Sequence, residues 1–355
     1  MASSFDPNNV NLDTVDPAQV VCYLSASGND YNGHLGARIS AIFVIFAVST
    51  AATFFPVIAR RIPSLRIPLY VYLFARYFGT GVIVATAFIH LLDPAYGEIG
   101  PNTCVGMTGN WAAYSWPPAI ALTSTIVVFL MDFGAELYVE SKYGVRRVDP
   151  ATTIVQGDHP SAEESQMNSD KEISGGKLAA WDVETLDSTE AEKSFRQQIA
   201  AFLILEFGVI FHSVIIGLNL GVVGAEFATL YPVLVFHQSF EGLGIGARMS
   251  AIPFKEKSWM PWMLCLAYGL TTPISIAIGL GVRTTYNPNS NIANIVSGVL
   301  DSTSAGILMY TGLVELLARD FLFNPQRTND KKQLTFMIVC TLLGTGIMAL
   351  LGKWA

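Results

Sequence analysis

The stretch ISAIFVIFAVSTAATFFPVIARR, residues 39–61, decides the fold class. From Ile39 to Ala59 it carries no charged side chain, and Arg60 with Arg61 closes it. Wound as a helix, such a run rises roughly 30 Å, the thickness of a bilayer's hydrocarbon core. Seven further apolar segments of similar length lie along the chain, at 68–92, 117–138, 197–222, 227–249, 258–282, 291–318 and 333–353. Between the fourth and fifth only Val222 to Glu226 remains for a turn. In hydrocarbon every backbone polar group must be paired within its own segment, so helices are expected throughout. The expected fold class is therefore all-α: a polytopic membrane protein with eight transmembrane helices.

Composition agrees. The 355 residues are 51% hydrophobic and 14% charged, against about 25% charged in a soluble domain, and the mean hydropathy is +0.43. The net charge of −7 comes mainly from the amino-terminal tail and one internal insert, and implies no nucleic-acid partner. No apolar segment precedes residue 39, so the first helix is expected to act as an uncleaved insertion signal. The expected organisation is an extracellular tail over 1–38, helices one to three over 39–138, a cytosolic loop over 139–196, and helices four to eight over 197–355.

Lys and Arg set the orientation. The connections after segments one, three, five and seven, with Arg248 at the end of the fifth, together hold 17 basic residues, whereas the opposite side holds Arg38, Arg283 and Lys353. Basic loops stay in the cytosol, which places both termini outside. The insert at 139–196 strings Glu163, Glu164, Asp170, Glu172, Asp182 and Glu184 among Ser, Gly and Lys, the composition of a solvated, disordered segment. It reads as a tether, with regulation through lysine modification by ubiquitin machinery as the functional alternative. Cys265 and Cys340 fall inside apolar segments as small core residues. Cys22 and Cys104 both fall on the expected outer side, where a disulfide is permitted; two unrelated free thiols are the alternative.

Ionisable groups within membrane segments are costly and point to function. They are Arg76, His90, Asp93, Asp132, Glu136, Glu206, His212, His237, Glu241, Asp301 and Glu315. Arg76, Asp132 and Glu136 read as groups near helix ends or paired with one another. His90 and Asp93, three apart on one face, read either as an outer entrance site or as helix capping beside Pro94. His212, His237 and Glu241 differ because they fall near the middle of their spans. His237 and Glu241 are four apart, hence on one helical face, and an imidazole with a carboxylate at that spacing can grip one metal ion. Gly208, Gly217 and Gly221, then Gly242, Gly244 and Gly246, permit close helix approach, although packing alone accounts for them equally well.

At these residues the chain resembles the ZIP (Zrt-, Irt-like) metal transporters, and particularly fungal plasma-membrane zinc permeases. The resemblance lies in His212-Ser213-Val214-Ile215-Ile216-Gly217 with Gly221, and in His237-Gln238-Ser239-Phe240-Glu241-Gly242. Ala87-Phe88-Ile89-His90-Leu91-Leu92-Asp93-Pro94 is similar to the fungal second helix. It implies a ZIP-type helical bundle in which His212, His237 and Glu241 coordinate the transported ion, with Ser213 and Gln238 as neutral accessory donors. Ile216 and Thr272 occupy positions that are acidic in other members, which argues against a second full site. The usual histidine-rich stretch of the third loop is absent from the sequence.

The functional expectation is a transporter, not an enzyme, moving Zn²⁺ into the cytosol, with Fe²⁺ and Mn²⁺ as chemically allowed alternatives. Zinc enters as substrate and no prosthetic group is implied. Glu315 and Asp301 are expected along the path. The plasma membrane is the expected location, with a vacuolar or secretory-pathway membrane as the alternative. The partners expected are the divalent ion, the lipid bilayer, a second copy in a homodimer and the ubiquitin machinery. From another class, an intramembrane zinc hydrolase also buries histidines and an acid, but no His-Glu-x-x-His motif occurs here.

Overall fold

The structure, a computed structural model, describes residues 6–11, 13–25, 31–62, 67–143, 180–254, 259–324 and 327–354. Among them the regular elements are all helical. A short α1 (Pro17–Ser25) precedes α2 (Leu35–Arg61) and α3 (Leu69–Ala85). A π-turned stretch, Thr86–Leu92, leads from α3 directly into α4 (Asp93–Ile99). There follow α5 (Trp116–Tyr143), α6 (Ala180–Val222), α7 (Phe227–Ala251), α8 (Met260–Val282) and α9 (Asn291–Tyr310). The last runs on through a second π-turned stretch, Thr311–Phe323, before α10 (Lys331–Leu351) ends the chain.

The all-α, polytopic expectation holds. Among the described residues, seven helices are long and apolar enough to cross a membrane, from Leu35–Arg61 to Lys331–Leu351. The eighth expected span is α7, 25 residues long. It falls short in apolarity because it carries His237, Gln238, Ser239, Glu241 and Arg248 together with three glycines. The second and seventh spans run past their expected ends at residues 92 and 318, reaching Ile99 and Phe323. The insert expected over 139–196 is shortened at both sides, since α5 continues to Tyr143 and α6 begins at Ala180. Residues 144–179, with half of its acids and lysines, lie outside the described residues.

Residues 1–129 with 200–355 form one compact unit, and 130–199 form another, made of the adjoining ends of α5 and α6. In the first unit the usual polarity of a globule is inverted. Phe43, Leu122 and Leu342 are 67%, 63% and 65% exposed, while Ser49, Thr53, Thr86, Ser213, Gln238 and Ser302 are buried. An apolar exterior suits lipid, and a polar interior suits a path through it. Helix α7 packs against α2 and α3, α8 against α2, α10 against α3, and α4 against α9. Glycine sets the closest crossing: a Cβ on Gly79 of α3 would meet the Gly244 Cα of α7 at 2.1 Å. No larger residue fits at that crossing, which brings α3 against the helix bearing His237.

Arg38 of α2 is fully buried and anchors the end of α6. Its guanidinium donates to the carbonyls of Leu220 (3.0 Å), Gly221 (3.2 Å) and Val223. It also donates to the Gly33 carbonyl and to Asn32 Oδ1, and lies over the Phe227 ring at 4.5 Å. A helix terminus leaves four carbonyls without intrahelical partners, and a cation there also complements the helix dipole. The short turn between α6 and α7 is thereby closed in place, and with it the separation of the two histidine-bearing helices.

Candidate metal site

His212 sits mid-way along the apolar part of α6 and His237 mid-way along α7. Both rings are buried, and their Nε2 atoms lie 3.2 Å apart. Glu241, one turn after His237, is fully buried with Oε2 3.7 Å from His237 Nε2. One ligand atom from each of the three residues lies within 4.8 Å of the others. Zinc–nitrogen bonds of about 2.0–2.1 Å in tetrahedral geometry set neighbouring ligand atoms about 3.3 Å apart. The two Nε2 atoms therefore stand nearly at the edge length of a zinc tetrahedron.

The polar atoms around this trio want partners. Among the described residues, Ser213 Oγ, both amide atoms of Gln238, His237 Nδ1 and both Glu241 oxygens are buried without a properly directed hydrogen bond. The neighbouring Tyr268 hydroxyl donates instead to the Gln238 carbonyl at 3.2 Å. Buried polar groups are nearly always satisfied, so such a concentration marks a place built for an ion or for water. The donor set of two imidazoles, one carboxylate and neutral oxygens suits a borderline divalent cation that must later leave. Thr272 is buried nearby in α8, also without a partner for its hydroxyl.

His90 and Asp93 line one cavity at different depths. His90 is buried, its ring 4.8 Å from that of His237 and nearly perpendicular to it. It belongs to the π-turned stretch, whose wider turn re-aims the residues that follow a regular helix. Its Nε2–H donates to the Met348 carbonyl at 2.9 Å. A carbonyl can only accept, so the neutral ring keeps its lone pair on Nδ1. A backbone carbonyl that fixes the tautomer is the usual companion of a metal-binding histidine. Asp93 is exposed and lies within continuous helix, where no helix end needs a cap.

A cavity of about 580 Å³ leads from His212 to the surface. Its wall includes His90, Asp93, Glu98, Ile216, Glu226 and Asp301. On the far side of the trio, charged pairs join the helices. There Arg76 donates to both oxygens of Asp320, at 2.8 and 3.1 Å. Glu315 lies 2.6 Å from Arg319 and 4.0 Å from Arg248. The space between Arg76, Gly244, Arg248 and Asp320 amounts to about 10 Å³, room for about one water. Arg76 thus pairs with Asp320 rather than with the acids of α5, and Glu315 belongs to this charged network.

One acid escaped the sequence reading, and another was given no role there. Glu98 follows Pro94, beyond the expected end of its span, and only the continuation of the helix to Ile99 brings it to the cavity. Glu206, on α6 six residues before His212 and counted among the intramembrane ionisable groups, is buried with neither oxygen hydrogen-bonded among the described residues. The sulfurs of Cys22 and Cys104 are joined as a disulfide that ties α1 to the segment between α4 and α5.

Comparison with known proteins closes the description. The family described as "ZIP Zinc transporter" matches residues 35–352. The chain is 58% identical to Zinc-regulated transporter 1 of Saccharomyces cerevisiae, over 99% of this chain and 97% of the relative. It is 41% identical to Zinc-regulated transporter 1 of Schizosaccharomyces pombe, over 98% and 92% of the two chains. Similarity extends to plants, with 32% identity to Zinc transporter 9 of Oryza sativa over 95% and 94%.

Proposed function

This chain belongs to the ZIP zinc transporter family, and on that premise we propose that it carries Zn²⁺ into the cytosol through a site formed by His212, His237 and Glu241. It is a membrane transporter, not an enzyme, so the hydrolase alternative falls. The observation that carries the site is the 3.2 Å approach of the two imidazole Nε2 atoms beside the fully buried Glu241 carboxylate. Ser213 and Gln238 adjoin that centre as neutral donors, and the Nδ1 lone pair of His90 offers a fourth ligand.

The direction of transport rests on the charge asymmetry of the loops, which places the cavity lined by Asp93, Glu98 and Asp301 outside. By the same asymmetry both termini lie outside, α7 completes a set of eight spans, and the Arg76–Asp320 and Arg319–Glu315 pairs face the cytosol. An ion leaving the trio inward must pass these pairs, so their separation accompanies release. Fe²⁺ and Mn²⁺ can use the same nitrogen and oxygen ligands and are secondary substrates in this reading. In this reading the membrane is the plasma membrane. A homodimer and ubiquitin-dependent turnover through the lysines of 139–196 complete the proposal.

Uptake of radioactive zinc into liposomes holding the purified chain tests the function. Saturable zinc accumulation that is lost in His237→Ala is the expected result. Accumulation unaffected by that change would remove the site from the mechanism.

A further inference from the structure

The strongest chemistry outside the trio lies where α4 meets α9. Gly298 packs so tightly on Ile99 that a Cβ there would come within 2.8 Å of both Cγ atoms of the isoleucine. This contact fixes Glu98, the preceding residue, beside Ser297 and Asp301, which are four apart on α9 and share a face. The Ser297 hydroxyl hydrogen-bonds the Glu98 carboxyl, and the Asp301 charge acts on that carboxyl. Asp301 is 4% exposed. Neither its Oδ1 nor Glu98 Oε2 has a hydrogen-bond partner among the described residues. Both residues line the cavity that reaches His90 and His212.

Two buried carboxylates on one cavity wall repel unless a proton or a cation lies near them. Lys353 shares the cavity wall, with its ammonium over the Trp354 ring at 5.6 Å. Asp93 and Glu226 line the same cavity and add further negative charge toward the surface. Tyr286, in the connection between α8 and α9, feels Glu98 from outside the membrane segments. Burial first, and then the Glu98 charge, hold its phenol above the ordinary value.

We propose that Glu98 and Asp301, with Ser297 and water completing the shell, form a second divalent-cation site, which receives hydrated zinc from outside and passes it to His90 and His212. The inference rests on the reading of His212, His237 and Glu241 as the transport site. Oxygen donors let an ion keep part of its water and exchange quickly, whereas imidazole nitrogen holds zinc more tightly. Affinity therefore rises inward, from carboxylates at the cavity wall to imidazoles at the centre. A second cation arriving at the outer pair also repels the first and favours its departure inward.

The test is zinc stoichiometry of the full chain in lipid nanodiscs, by equilibrium dialysis with radioactive zinc. The wild type is expected to bind two ions. Glu98→Gln with Asp301→Asn should remove one, and His237→Ala with Glu241→Gln should remove the other. In cells, uptake normalised to surface protein should show the first pair raising KM at least fivefold while the maximal rate stays within twofold. The single changes Glu98→Gln and Asp301→Asn keep side-chain shape, guard against misfolding, and should each raise KM about twofold. A wild-type stoichiometry of one, or full stoichiometry and unchanged KM in the carboxylate variants, overturns the inference. The same result with higher thermal stability would identify the pair as a proton-sharing clasp between α4 and α9. If instead the His237/Glu241 variant keeps both ions, the transport-site reading fails while the outer site stands.

Discussion

His212 and His237 come from different helices, 25 positions apart, yet their Nε2 atoms meet at 3.2 Å. Neither ring has another route to that distance, because the Arg38 clamp holds the end of α6 and Gly79–Gly244 holds α7 against α3. Each of His212→Ala, His237→Ala and Glu241→Ala removes one ligand from a set that has few to spare. Zinc uptake at limiting concentration should fall about 100-fold in each, with the protein still in the membrane. Uptake kinetics normalised to surface-labelled protein measure this, and near-normal transport by one variant would exclude that residue.

Ile216 lines the cavity one turn after His212. In Ile216→Glu a carboxylate would face the same space and deepen the electrostatic well for a divalent ion. The expected outcome is tighter binding with slower release, and a preference shifted toward harder ions such as Mn²⁺. Competition of Mn²⁺ and Fe²⁺ against radioactive zinc reads it out. Unchanged preference together with an unchanged rate would mean that the position does not reach the ion.

The fold class and the central trio were legible because each depends on local pattern. An uncharged run of bilayer length declares a helix, and the spacing of His237 and Glu241 declares a shared face. The rest depended on relationships that no local pattern carries. Arg76 and Asp320 are separated by 244 positions. His90, in the π-turned stretch between α3 and α4, lies beside the ring of His237 as well as on the cavity wall. Glu98 was hidden by Pro94, which reads as a helix stop but here directly follows the π-turned stretch in a helix that continues to Ile99.

Arg38→Ala should destabilise the chain more than any surface change. It would leave the carbonyls of Leu220, Gly221 and Val223 without their donor. Each buried carbonyl left unsatisfied costs about 1–3 kcal/mol, so a total near 3 kcal/mol is expected after partial relaxation. Arg38→Lys should recover only part, because an ammonium cannot reach the same spread of acceptors. Thermal unfolding of purified protein in detergent gives the order wild type, Lys, Ala; equal midpoints for all three would show that the clamp carries no stability.

The Arg76–Asp320 pair offers a double-mutant cycle. Removing either partner leaves a charge buried without its counterion, at about 3 kcal/mol. Removing both should cost less than the sum of the single changes, with a coupling of about 2 kcal/mol. If the pair also closes the inner side, Asp320→Asn should let a thiol reagent reach a cysteine introduced at Thr80 from the cytosolic side. Protection equal to that of wild type would leave the pair a purely structural contact.

The disulfide supplies a test of topology. Cys22 and Cys104 are bridged, whereas Cys265 and Cys340 are free and buried within membrane helices. A bridge persists where conditions are oxidising, which for a plasma-membrane protein is the outer face. A membrane-impermeant maleimide applied to intact cells should therefore leave the chain unlabelled. After treatment with an impermeant reductant, the same reagent should add two labels, both lost in Cys22→Ser with Cys104→Ser. Labelling that requires permeabilised cells would put the tail and the segment between α4 and α5 on the cytosolic side. The assigned direction of transport would then have to be reversed.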